Sequence, residues 1–307
     1  MISHILAEQI LILFMIMAVG FIARRANIIR VEMTKGLSDL LLNITLPFLI
    51  ITSFNSRFSQ TLLVNGGVVL ASTFAVHFVS YVLGKLLFFR YPSGNRKILL
   101  FATVFSNCGF MGIPIVESVF GKLGVFYSSI YLIGFNLLVW TLGIIIFTEK
   151  ADRQTARATL TNPGIIAVLI GTVLFIFSIP LPAPIIKTFS LVGSMTTPLS
   201  MIIIGATLAD CRWKEFFSGT AVYYGSLTRL VLLPLITMGT MILLQLDPTV
   251  IGVCVLSVAM PVAATTVMFA ERYDSDTLFA SRLVFLSTIL SAVTIPGLMI
   301  LFEIFVV

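Results

Sequence analysis

The chain has 307 residues, of which 58% are hydrophobic and only 10% charged, with a net charge of +6 and a mean hydropathy of +1.10. Soluble domains carry about a quarter charged residues, so a soluble enzyme is excluded and an integral, all-α membrane protein is expected. In that setting the excess cations act as topology signals rather than as a nucleic-acid surface.

Apolar segments of about 20 residues cross a bilayer as helices, and ten are expected here, at 6–23, 37–54, 62–89, 98–119, 124–147, 162–179, 185–209, 217–244, 249–270 and 278–305. Glu8 lies within the first and Arg24-Arg25 follow it, without a basic leader or a small-residue cleavage site, so it is read as helix 1 rather than a removable signal. Of the nineteen Lys and Arg residues, fifteen fall in the 1–2, 3–4, 5–6, 7–8 and 9–10 loops; Arg57, Lys122 and Lys187 lie on the opposite side, and Arg229 lies inside span 8. The positive-inside rule then puts both termini on the non-cytoplasmic side of a cell (plasma or inner) membrane. Cys108, Cys211 and Cys254 have neither metal nor redox spacing, and no cofactor or metal is expected.

The hydrophilic stretch TEKADRQTARATLTNPG, 148–164, divides the chain into two five-span halves, 1–150 and 151–307. Helix-weakening residues recur at matching places: NITLP at 43–47 and TTPLS at 196–200, then SNCGFMGIP at 106–114 and AMPVAATT at 259–266. An odd number of spans per half makes the halves antiparallel, the inverted-repeat plan of secondary transporters. Pro114 and Pro261 are expected to break spans 4 and 9. Two such breaks facing each other at the bilayer midplane would present helix N-termini to an anion and free carbonyls to a cation.

The motifs NITLP (43–47), SNCGFMGIP (106–114), NPGIIAVLIG (162–171), TPLSMIIIGATLA (197–209) and MPVAATTVMFAERY (260–273) together resemble the auxin efflux carrier family, in its short-loop bacterial branch. Plant PIN-type members share the N-x-x-x-M-G-I-P pattern but carry a long loop between spans 5 and 6, which is short here. The resemblance implies a ten-helix fold related to the bile-acid symporters and sodium/proton antiporters. Spans 1, 2, 6 and 7 would form a panel and spans 3–5 and 8–10 a core, with spans 4 and 9 as crossover helices. It further implies a homodimer and transport of auxin-like acids or carboxylates such as malonate by an elevator-like shift of core against panel. Asn107 matches the crossover asparagine, so a substrate role carries over to it. Ser106 replaces the plant proline, and Val262 follows Pro261 where a polar residue is usual.

An unpaired amide inside a span is costly, which marks Asn107 as a ligand group or an interhelical hydrogen bond. Ser106 and Gly109 are its neighbours, and Asn43, Thr45, Thr196 and Thr197 are expected to face the crossing from the panel, with Thr265 and Thr266 following Pro261. Threonine in a membrane helix often satisfies its own helix carbonyl instead. Arg229 needs a partner; it either attracts an anion or neutralises the carbonyl ends of the broken helices. Glu117 is read as a snorkelling carboxylate or a proton-coupling group, and His77 as a packed hydrogen-bonding group or a titrating one.

These features point to a secondary transporter of a small organic anion, with H+ or Na+ as an optional coupling ion and the lipid bilayer as its surroundings. A cation/proton antiporter is the nearest alternative, although an acidic pair is missing from spans 4 and 9. An enzyme is not expected, because neither an H-E-x-x-H helix nor paired aspartates are present. A sensor would add an output domain, and there is no P-loop for ATP.

Overall fold

The computed structural model describes residues 2–55, 59–148, 163–209 and 219–306. Most of the 148–164 connection, together with Arg57, Cys211, Arg212 and Lys214, lies outside the described residues. Among the described residues the fold is all helical: α1 Ile2–Arg25, α2 Val31–Leu40, α3 Leu46–Ser53, α4 Gln60–Leu87, α5 Ser93–Val104, α6 Ile113–Thr148, α7 Pro163–Ile176, α8 Ala183–Gly193, α9 Thr196–Ala209, α10 Thr220–Leu227, α11 Leu233–Leu243, α12 Pro248–Ala259, α13 Thr265–Arg272 and α14 Thr277–Phe305.

Six helical stretches among the described residues are long and apolar enough to cross a membrane, namely Glu32–Ser53, Gln60–Leu87, Cys108–Thr148, Ala183–Ala209, Thr220–Leu243 and Thr277–Phe305. Pro163–Ile176 and Pro248–Ala259 are shorter apolar helices. The Cys108–Thr148 stretch would measure about 60 Å if straight, twice the hydrocarbon thickness. It is not straight, because Gly121 takes φ 59° and ψ −148° and folds α6 into two legs.

Three π-turns interrupt the helices, Leu41–Thr45, Cys108–Gly112 and Thr228–Leu232, and each ends two residues before a proline: Pro47, Pro114 and Pro234. Proline lacks the N–H that would bond four residues back, and its ring crowds that carbonyl. In each π-turn the residue before the proline bonds five residues back instead: Leu46 to Leu41, Ile113 to Cys108 and Leu233 to Thr228. The wider turn makes room for the ring, so the helix continues through it. Pro114 is therefore not a break. It stands in the first turn of α6, and the chain leaves helical geometry earlier, at Phe105–Asn107.

Close packing depends on glycine in one group of helices. α1 lies against α9, and a side chain added at Gly20 would run into the Ile202 carbonyl, one at Gly205 into the Met17 carbonyl. α3 is covered by α7 and α8, where Gly171 abuts Phe54 and Gly193 abuts the Leu49 backbone. Small residues let membrane helices approach to backbone contact in this way. α4, α6 and α12 pack on one another, and α10 and α13 each pack on α14. Asp247 caps α12 by accepting from Thr249 N and Val250 N at 2.9 and 3.2 Å, and Asp276 caps α14 by accepting from Phe279 N at 2.9 Å.

Candidate functional site

Two helix interruptions meet inside the protein. α5 ends at Val104 and the backbone turns extended at Phe105; α12 ends at Ala259 and turns extended at Met260. Across the gap Asn107 N donates to Pro261 O at 2.8 Å and Ala263 N donates to Phe105 O at 3.2 Å, so Ser106 and Val262 pair in antiparallel fashion. Backbone groups freed by ending two helices in an apolar interior must find partners, and these two segments supply part of them to each other.

Hydroxyls complete the joint. Ser106 Oγ donates to Ser257 O at 2.7 Å, and Val262 N donates to Ser287 Oγ at 3.0 Å. Ser257 and Ser287 were not singled out in the sequence, because a serine inside an apolar span carries no signal of which backbone group it serves.

Arg229 closes the other side. It is 1% exposed and projects from the Thr228–Leu232 turn. Nη1 donates to Thr103 O at 2.7 Å and to Val104 O at 3.5 Å, Nη2 to Val258 O at 2.6 Å and Nε to Met260 O at 3.3 Å. These carbonyls are the C-terminal ends of α5 and α12, where the helix dipoles leave partial negative charge. One guanidinium, with five donors in a planar fork, thus serves two helix ends at once. Each of its three nitrogens donates to the protein itself.

Asn107 follows the joint in the chain and starts the next helical segment. Its own carbonyl accepts from Met111 N and Gly112 N, both at 3.1 Å, and so starts the π-turn. The residue is 9% exposed; its side-chain amide makes no hydrogen bond among the described residues, and its atoms are not among those shut off from the surface. Gly109 is half buried, and a side chain there would first meet Leu132 Cδ2 at 3.9 Å, so space remains beside it. At the start of α13 the hydroxyls of Thr265 and Thr266 also lack partners, as does that of Thr196 at the start of α9, which packs on the Cys108–Gly112 turn.

The other sequence candidates are more dispersed. Asn43 is exposed and donates to Asp39 O at 2.8 Å, with no hydrogen bond to the Asn107 turn. Thr45 is buried, and its hydroxyl reaches Leu41 O only at 3.4 Å. Thr197 Oγ1 donates to Glu117 Oε2 at 2.8 Å, joining α9 to α6. His77 is buried on α4 with Nδ1 2.7 Å from Thr73 O, which assigns the proton to Nδ1 because a carbonyl only accepts. Its Nε2 is unpartnered among the described residues, amid the rings of Phe105, Tyr131 and Phe135 at 5.8 Å each. No group of three potential metal ligands exists among the described residues.

Helices of membrane-crossing length around a polar joint define a multi-pass membrane protein. The family model described as Membrane transport protein matches residues 5–299, so the chain belongs to this family, that of the auxin efflux carriers. An uncharacterized transporter of Methanothermobacter thermautotrophicus is 27% identical, the match covering 94% of this chain and 96% of the relative. The uncharacterized transporter MJ1031 of Methanocaldococcus jannaschii is 22% identical over 94% and 96% of the two chains. The uncharacterized transporter YfdV of Escherichia coli K12 is 20% identical over 94% and 95%.

Proposed function

We propose that the protein is a secondary transporter of small organic anions, auxin-like acids or carboxylates such as malonate, which bind at the joint between residues 105–112 and 260–266. The observation that carries this reading is the Asn107 amide, free of intramolecular hydrogen bonds among the described residues and still accessible beside two helix starts. A ligand carboxylate can accept from such an amide without first breaking a bond inside the protein. The N-terminal dipole ends of the Cys108–Gly112 turn with α6 and of α13 favour the same negative charge. Arg229 acts as a fixed countercharge to the carbonyl ends and not as a substrate hook, because all three of its nitrogens already donate to those carbonyls.

In this reading the two halves, 1–150 and 151–307, are inverted five-helix repeats, and residues 105–107 and 260–264 are the crossover breaks. The glycine-packed group α1, α2, α3, α7, α8 and α9 is the panel, and the remaining helices form the core that moves against it. Loop cations put both termini on the non-cytoplasmic side of the cell membrane, and the working unit is a homodimer. A cation/proton antiporter is less well supported, since the joint holds an amide and hydroxyls where a cation would need carboxylates.

The test is binding. The thermal stability of purified protein in detergent is followed with increasing malonate or indole-3-acetate, in wild type and Asn107→Ala. A ligand-dependent rise in Tm that is lost in the variant supports the assignment; an equal rise in both proteins contradicts it.

A further inference from the structure

Glu117 lies ten residues beyond Asn107, about 15 Å along the helix, before the Gly121 fold of α6. It is half buried, and its Oε2 accepts from Thr197 Oγ1 at 2.8 Å. This hydrogen bond spans the boundary between the two groups of helices, because Thr197 belongs to α9. Among the described residues no cation forms an ion pair with the carboxylate. The charged groups at that end are Lys122 on the same helix, Glu8 on α1, Lys187 on α8, Asp247 at the cap of α12 and Glu303 on α14, and none bonds to it. α9 contributes no charged residue.

A carboxylate inside a membrane helix without a cation is costly, and such residues mark proton and ion pathways. A purely structural carboxylate inside a span would be paired with a cation; this half-buried one is held by a single neutral donor on a neighbouring element. We propose that Glu117 is a proton-binding site that couples transport to the proton gradient, and that its bond to Thr197 ties core to panel while it is ionised. The inference rests on the transporter reading above for its use, but not for its chemistry.

The step balances simply. A hydronium ion gives its proton to a Glu117 carboxylate oxygen and leaves as water, so one O–H bond breaks as another forms, the carboxylate charge is removed, and no other covalent bond changes. The new O–H donates to Thr197 Oγ1, whose own hydrogen turns away to a backbone carbonyl of the preceding turn. Thr188 and Thr207 already make that same bond within their helices, to Pro184 O and Ile203 O, both at 2.9 Å. The neutral carboxyl then leaves Thr197 and moves along the apolar interface at less cost than an ionised carboxylate leaving its only donor.

The experiment uses wild type, Glu117→Gln and Thr197→Val in lipid bilayers. Infrared difference spectra between wild type and Glu117→Gln are taken across about pH 4 to 9, the range carboxyl groups reach in proteins. A protonated-carboxyl band that titrates in wild type and is missing from Glu117→Gln is expected. In pyranine-loaded liposomes given malonate or indole-3-acetate, wild type is expected to move protons with the acid, and Glu117→Gln at least tenfold less per acid carried. Thr197→Val is expected to keep the band, since the carboxyl remains, while its transport rate loses the pH dependence of wild type. Spectra that do not differ between wild type and Glu117→Gln, or equal proton movement in both, would overturn the proposal. A titrating band with no movement of either acid would uphold the proton site and count against the organic-anion reading.

Discussion

Replacing Arg229 with methionine separates two roles for a buried cation. The side chain keeps comparable length but loses every donor, so the carbonyls of Thr103 and Val258, bonded at 2.7 and 2.6 Å, lose their guanidinium partner. Hydrogen bonds to a charged group contribute about 1.5–3 kcal/mol each, which makes the two short bonds together about 3–6 kcal/mol. The longer contacts to Val104 and Met260 add less. Against a total stability of about 5–15 kcal/mol, the variant is expected to lose at least 6 °C of Tm, taking about 2–4 °C per kcal/mol, or to fail to accumulate. Arg229→Lys retains the charge with three donors and no fork, and is expected to fall between the two. The assay is fluorescence-detected thermal unfolding in detergent without ligand. If Arg229→Met melts within about 2 °C of wild type, a shift below that expected for 1 kcal/mol, the guanidinium is not holding the helix ends together, and its place is with the substrate.

Other expectations follow from the same geometry. Ser287→Ala removes the acceptor of Val262 N–H, and an unsatisfied buried donor costs about 1–3 kcal/mol, seen as a lower Tm with the family of helices otherwise intact. Gly205→Val drives a branched side chain into the Met17 backbone, so α1 and α9 must separate; a loss of about 1–3 kcal/mol or more is expected from such overpacking, and an unchanged melting curve would contradict the close contact. Asn107→Ala is expected to change the stability without ligand by less than about 1 kcal/mol, read from the Tm, because an accessible amide that makes no bond among the described residues has little to lose.

The membrane class and the family were legible in the sequence because both are carried by many residues at once: apolar runs, and motifs in a fixed order from Asn43 to Tyr273. Individual backbone events were less so. Pro114 reads as a helix breaker, yet the five-residue π-turn before it absorbs the ring, and the break falls at Phe105–Asn107, where no proline stands. A π-turn leaves no mark in residue type, although three of them precede Leu-Pro or Ile-Pro here. Arg229 could be recognised as a charge in need of a partner. Its partners are backbone carbonyls, which every residue has, so only the fold identifies which four. Ser257 and Ser287 escaped attention for the same reason, since what matters is the carbonyl or amide each one reaches. Glu117 and Thr197 lie 80 positions apart, and only the packing of α9 on α6 brings them to 2.8 Å.

The central claim, an organic-anion site at the joint of the two interrupted helices, is tested most directly by charge movement. Wild type and Asn107→Ala in proteoliposomes on a solid-supported membrane are given pulses of malonate and of indole-3-acetate, with and without a proton gradient. The account predicts a substrate-evoked current in wild type, under at least one gradient condition, that is lost in Asn107→Ala while the protein remains folded. A variant current equal to that of wild type would contradict it.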